Sequence, residues 1–179
     1  ILNFFKSLGK AMFKENTYKS LGRYFNRTNE IFFNFIAGQV IDGFVVGVIT
    51  SIAMLTMGVK YAVPLGFMIG LFNLIPYFGA IIAVIIAALI TFLTGGLTQA
   101  IFMVIVVTIL QQIDANIINP KIIGNSLEIS QLLVIFAVTV GGAYMGVWGM
   151  FLAVPIIAVI KLFITDYIEY KNIIKQTQE

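Results

Sequence analysis

Cysteine and histidine are both absent from the 179 residues. That excludes disulfides, thiol chemistry and the common zinc sites. Charge is scarce: 11% of residues are Asp, Glu, Lys or Arg, against about 25% in a soluble domain. There are only four prolines and one tryptophan. What fills the chain is apolar, with 60% hydrophobic residues and a mean hydropathy of +1.01. The apolar runs exceed what a soluble core helix needs, and they lack the polar–apolar alternation of outer-membrane strands. The expected fold is an all-α integral membrane protein, a multi-span helical domain with Gly/Pro-broken helices or re-entrant hairpins. No nucleophile–base pair or metal-ligand cluster is evident, so the sequence reads as a non-enzyme with no cofactor and no metal.

The few charges divide the chain into three parts. Residues 1–30 carry Lys6, Lys10, Lys14, Lys19, Arg23 and Arg27 against Glu15 and Glu30, a net +4. Residues 31–160 carry only Asp42, Lys60, Asp114, Lys121 and Glu128. From Lys161 onward three lysines balance Asp166, Glu169 and Glu179. We therefore expect a basic amphipathic cytoplasmic segment (1–30), a transmembrane domain (31–168) and a cytoplasmic tail (169–179). The four-residue spacing of the basic side chains suits an anionic leaflet, or a solvated face on a helix packed against the protein. Either way, the positive-inside rule places it in the cytoplasm. So short a patch beside a membrane domain argues against a nucleic-acid partner. Its dispersed charges leave no continuous apolar core for a signal peptide. The first residue is Ile1 rather than Met, so a piece of a longer protein is expected.

Four apolar stretches follow, at 31–58, 62–93, 98–123 and 127–168. A bilayer core of ~30 Å needs about 20 helical residues at ~1.5 Å each. The first and third stretches fit one crossing apiece. The second and fourth are too long for one untilted helix and carry breakers near their middles. These are Gly70, Pro76 and Gly79 in one, and Gly141, Gly142, Gly146, Gly149 and Pro155 in the other. Four crossings would return the C-terminus to the side of the N-terminus, in the cytoplasm.

Polar residues inside such stretches are the candidates for function. Asp42 sits in "IAGQVIDGFVVGVITSI", one helical turn after Gln39. Facing a cavity, it would carry a proton or a cation; near the interface, it would simply be wet. Gly43, Gly47 and Ser51 beside it form a small-residue ridge that reads as close helix packing. In "FNLIPYFGAIIA", Pro76 removes a helical donor and frees a carbonyl. Asn73 lies three residues earlier, placed to satisfy that carbonyl or to bind solute, and Gly79 permits close backbone approach. Broken backbone at membrane depth belongs in protein or around a cavity. In "QQIDANIINPKIIGNSLEIS", regular helical spacing puts Gln112, Asn116 and Asn119 on one face, able to coordinate a polyhydroxylated solute or a cation. Asp114 falls on the opposite face, where pairing with Lys121 would make both charges compatible with burial; Pro120 ends the helix. Both interruptions need polar partners, so the Asn73–Gly79 break is expected to pack against the Gln112–Pro120 segment. If the chain couples transport to a proton or sodium, the absence of histidine and cysteine leaves Asp42 or Asp114 to carry the coupling. Glu128, in a polar interfacial run, is the weaker candidate.

Three segments in this order, "IAGQVIDGFVVGVITSI", "GLFNLIPYFGAIIA" and "QQIDANIINPKIIGNSLEI" running into "GGAYMGVWGMFLAVPIIAVIK", resemble the AI-2E family of bacterial membrane transporters. The resemblance covers nearly everything from Ile36 to Lys161. It implies a secondary transporter, a homo-oligomer in the plasma membrane, handling a small polar solute or a monovalent cation; a non-transporting membrane scaffold and a passive pore are the alternatives that the residues leave open. The family is associated with export of the quorum-sensing signal autoinducer-2, and some members are similar to sodium(lithium)/proton antiporters. Members are longer than this chain, so N-terminal helices are expected to precede it. Ala80 and Gln131 stand where prolines are common in the family, which leaves the helix boundaries there open.

Overall fold

The structure, a computed structural model, describes residues 15–123 and 129–176. The expectations for Lys6, Lys10, Lys14 and Glu128 lie outside the described residues. All the regular elements among the described residues are helical, and three helical stretches are long and apolar enough to cross a membrane.

Helix α1 (Glu15–Thr56) contains no proline and runs unbroken through residue 30, so the basic segment continues into the first span. Phe35, Gln39, Asp42, Val46, Thr50 and Met54 recur at about one-turn spacing and are all buried. Ile41, Phe44, Val48, Ile52 and Leu55 lie on the outer side and are exposed, as a lipid-facing surface requires. Gly58, at φ +68°, ends the helix in the left-handed region. There the Val59 N–H reaches Met54 O at 3.0 Å and the Gly58 N–H reaches Leu55 O at 3.0 Å, satisfying carbonyls that would otherwise be orphaned.

Helix α2 (Ala62–Phe72) turns back along α1. The expected small-residue ridge is its docking surface: a Cβ on Gly70 would fall on the Gly43 carbonyl oxygen, and one on Gly66 would fall on Ser51. Two backbones can approach this closely only with hydrogen at those positions.

At Asn73–Tyr77 the chain breaks. The next helix, α3 (Phe78–Ile113), is two arms, 78–95 and 97–113, joined at Gly96 with φ +84° and ψ 174°. Two contacts show that the arms fold back. Gln99 Nε2 donates to Met57 O at 3.1 Å, at the far end of α1, while Asp114 returns to Asn73 at 3.0 Å. A straight helix would hold residues 78 and 113 about 53 Å apart. Ala83 and Ala87 of one arm and Met103 and Val107 of the other share a single core with α1 and α2. Thus α2, the break and the first arm form a loop that enters from the Gly58 end and stops at the depth of Asp42. The second arm continues through a wide turn (Asp114–Ile118) into α4 (Asn119–Ile123), about 40 Å of chain from residue 97.

Helix α5 (Gln131–Gln176) is likewise a hairpin, reversing at Gly146 with φ +59° and ψ −141°. A Cβ on Gly141 or Gly149 would strike the other's carbonyl, which places residues eight apart face to face. Pro155 lies buried inside the returning arm without breaking it. That arm runs antiparallel to α1: Phe35 meets Phe151 at 6.0 Å, Tyr24 meets Phe163 at 5.1 Å, and Arg27 bonds Asp166 at 3.2 Å. Gly146 lies five residues beyond Phe151, about 7.5 Å, and so reaches the level of Gln39–Asp42. Ile75 and Phe78 pack against this hairpin's core, bringing the two re-entrant loops together. Of the two forms expected for the long stretches, both are hairpins rather than single spans: one reverses at Asn73–Tyr77 and the other at Gly146, from opposite ends of α1, so the expectation of one crossing per stretch does not hold. The Arg27–Asp166 bond brings both ends of the described chain to one side.

Candidate transport site

Asp42 lies 11 residues into the apolar part of α1, about 17 Å from Ile31, near the middle of a ~30 Å hydrocarbon layer. It is 0% exposed, and Asp114 is 5% exposed. Both carboxylates are therefore enclosed by protein. One amide nitrogen bridges the two acids: Asn73 Nδ2 donates to Asp42 Oδ2 at 2.9 Å and to Asp114 Oδ2 at 3.0 Å. Asn119 Nδ2 donates to Asp42 Oδ2 at 3.1 Å and to Gln39 Oε1 at 3.3 Å. Gln39 Nε2 in turn donates to Leu74 O, at 3.3 Å, inside the break. The second oxygen of each carboxylate, Oδ1, is buried and has no hydrogen-bond partner.

Local backbone sets each of these positions. Asn73 is released from α2 because Pro76 supplies no N–H and the chain turns sharply after it. Phe78 N–H closes on Pro76 O at 2.8 Å around Tyr77, at φ +63° and ψ −58°, a rare and strained γ-turn. Gly79 makes the expected close backbone approach: a Cβ there would fall on the Phe72 carbonyl oxygen. The freed region is therefore satisfied by backbone, with Ile75 N–H on Phe72 O at 3.0 Å, and the Asn73 side chain is left for the acids. The wide turn after α3 closes with the Asn119 N–H on Asp114 O, an i→i+5 bond. In an α-helix these residues would point about 140° apart; the wider turn lets both face Asp42. Such turns recur at functional sites.

Five of the residues singled out from sequence therefore converge: Gln39, Asp42, Asn73, Asp114 and Asn119. Pro76 and Gly79 build the break without touching the acids. Gln112 and Asn116 are exposed, with Asn116 Nδ2 donating to Gln112 O at 2.7 Å, so the expected three-amide face is divided by the wide turn. Pro120 is exposed in the first turn of α4, where a missing N–H is tolerated. The Asp114–Lys121 pairing does not form among the described residues: Asp114 bonds Asn73, and Lys121 is exposed. Sequence reading passed over Leu74 O, Tyr77 and Gln111. The Gln111 Nε2 is buried without a partner one turn before Asp114.

Two carboxylates this close and out of water need a proton or a cation between them.

Residues 5–169 match the AI-2E family transporter description. The chain belongs to this family. YrrI of Bacillus subtilis (strain 168), named as a transport protein, is 36% identical over 139 residues, covering 78% of this chain and 39% of its own length. YueF of the same organism, also named as a transport protein, is 32% identical and covers 85% and 41%. PerM of Escherichia coli (strain K12), named as a permease, is 31% identical and covers 80% and 41%. The chain spans about two-fifths of the length of these relatives. No solved structure matches it. The AI-2E family assignment and the three long apolar helices make this a membrane protein of a transporter family.

Proposed function

We propose that this chain carries the coupling site of a secondary transporter that exchanges sodium or lithium for protons at the Asp42–Asp114 pair. The observation that supports it is the pair itself: two buried acids joined by one amide nitrogen, each with an open oxygen, at the depth where two re-entrant loops meet. Re-entrant backbone at the midplane is the usual setting of ion and substrate sites in secondary transporters. A second reading, export of a small polar solute of the autoinducer-2 type in quorum sensing, draws on Gln39 and Asn119, whose amides suit hydroxyl groups. Proteoliposomes holding the full-length protein test both. A sodium or lithium pulse should drive proton movement against an imposed gradient. Autoinducer-2 flux without cation-driven proton movement would favour the second reading instead.

The bacterial relatives and the apolar helices support a bacterial plasma-membrane location. A homo-oligomer is supported by the hairpin tip, where Tyr144 is 86% and Trp148 72% exposed around re-entrant backbone that lipid cannot satisfy. The basic N-terminal residues support a cytoplasmic position for both ends. Cysteines placed at Asn26 and Tyr170, both exposed near the Arg27–Asp166 bond, should resist an impermeant thiol reagent on intact cells and react after permeabilisation. Labelling from outside would invert the orientation.

A further inference from the structure

The geometry points to Asn116 as a positioning residue: its side chain holds open the wide turn that delivers Asn119 to the ion site. This rests on the coupling role proposed for Asp42 and Asp114. Asn116 touches neither acid and is exposed on the opposite side of the helix. Its Nδ2 donates to Gln112 O, four residues back, at 2.7 Å. A side chain bonded to the i−4 carbonyl competes with the backbone for that acceptor and loosens the α-helical pattern. Asn116 sits within the wide turn Asp114–Ile118, which closes with the Asn119 N–H on Asp114 O five residues back.

The consequence falls on Asn119 rather than Asp114. Asp114 ends a long arm packed in the main core through Met103 and Val107, whereas Asn119 opens the five-residue α4. If the turn tightens to an α-helical one, the shorter element swings. Asn119 then leaves both Asp42 Oδ2 and Gln39 Oε1, its two partners at 3.1 and 3.3 Å. The wide turn and the tight turn are thus two registers of one segment, one with the amide in the site and one without it. Asn116 biases that choice from outside the site.

Three variants of the full-length protein test this. Asn116→Leu removes the donor at an exposed position. Asn116→Ser keeps one, because a serine hydroxyl also reaches the i−4 carbonyl. Asn116→Leu with Ala115 deleted makes Asp114 and Asn119 four residues apart, so an ordinary α-helical turn aligns them without help. In proteoliposomes, the sodium concentration for half-maximal proton exchange should rise about tenfold in Asn116→Leu, the scale of one lost ligand. It should stay near wild type in Asn116→Ser and return when Ala115 is also deleted. Mercuric-ion cross-linking of an Asp42→Cys/Asn119→Cys pair reads the same register without transport. It should fall severalfold on adding Asn116→Leu and recover on deleting Ala115. Unchanged cross-linking in the leucine background overturns the inference. So does a half-saturation within twofold of wild type, or a loss confined to the maximal rate. If sodium drives no exchange in the wild type while cross-linking still follows the turn, the coupling reading fails and the positioning role stands.

Discussion

Replacing Asp42 with asparagine should abolish cation-driven proton exchange while leaving the protein assembled. Asparagine keeps the volume of aspartate and an oxygen able to accept from Asn73 Nδ2 and Asn119 Nδ2, the two donors now at 2.9 and 3.1 Å. What it lacks is the charge and the exchangeable proton. A bound cation would lose one of its buried carboxylate partners, and losing one member of such a cation–carboxylate pair costs about 2–5 kcal/mol, which is about 30-fold or more in ion affinity. The same replacement at Asp114 should have the same effect, because Asp114 is tied to the site through Asn73 and not to Lys121. Any residual proton flux should depend on neither sodium nor the pH range over which the wild type exchanges, in both variants. Wild-type exchange in both single variants would remove the pair from the mechanism.

The second large effect is structural. Gly70→Ala places a methyl group on the Gly43 carbonyl and 2.9 Å from Gly47 Cα. Both obstacles are backbone and cannot rotate aside, so α1 and α2 must separate. Overpacking of this kind costs about 1–3 kcal/mol. Here it also pulls Asn73, three residues further on, away from Asp42. Thermal unfolding in detergent should show a lowered midpoint, and exchange should fall with it. Gly22→Ala is the matching control. Nothing lies within 4 Å of a Cβ there, and alanine favours a helix over glycine by about 1 kcal/mol, so stability should hold or rise. Equal midpoints for Gly70→Ala and wild type would show that the close approach of α1 and α2 does not hold the site together.

The parts of this architecture that the sequence revealed are those written in glycine and proline. Pro76 and Gly79 marked the break that frees Asn73, whereas Gly70 lies inside α2 against Gly43; of the five breakers in the last stretch, Gly146 is where it reverses. The gap between the second and third apolar stretches falls at Gly95 and Gly96, where α3 turns back. The polar residues of the site were also visible, because Asp42, Asn73 and Asp114 are costly in so apolar a chain. What could not be read was direction. Regular helical spacing put Gln112, Asn116 and Asn119 on one face and Asp114 on the other, whereas the wide turn sends Asp114 and Asn119 inward together. Such a turn depends on which carbonyl an N–H chooses, and no residue type announces that choice. The number of crossings was hidden for a similar reason. Composition shows that a stretch is apolar, but only long-range contacts such as Gln99–Met57 and Asn73–Asp114 show where it reverses.

Calorimetric titration of sodium into the full-length protein, repeated in buffers of different ionisation enthalpy, counts protons released per ion bound and so tests the shared carboxylate pair most directly. Release of about one proton per sodium is predicted, since a cation and a proton would compete for the same two buried carboxylates. The signal should disappear in the Asp42→Asn, Asp114→Asn double variant. Sodium binding with no proton release, or the same release from the double variant, would contradict the account.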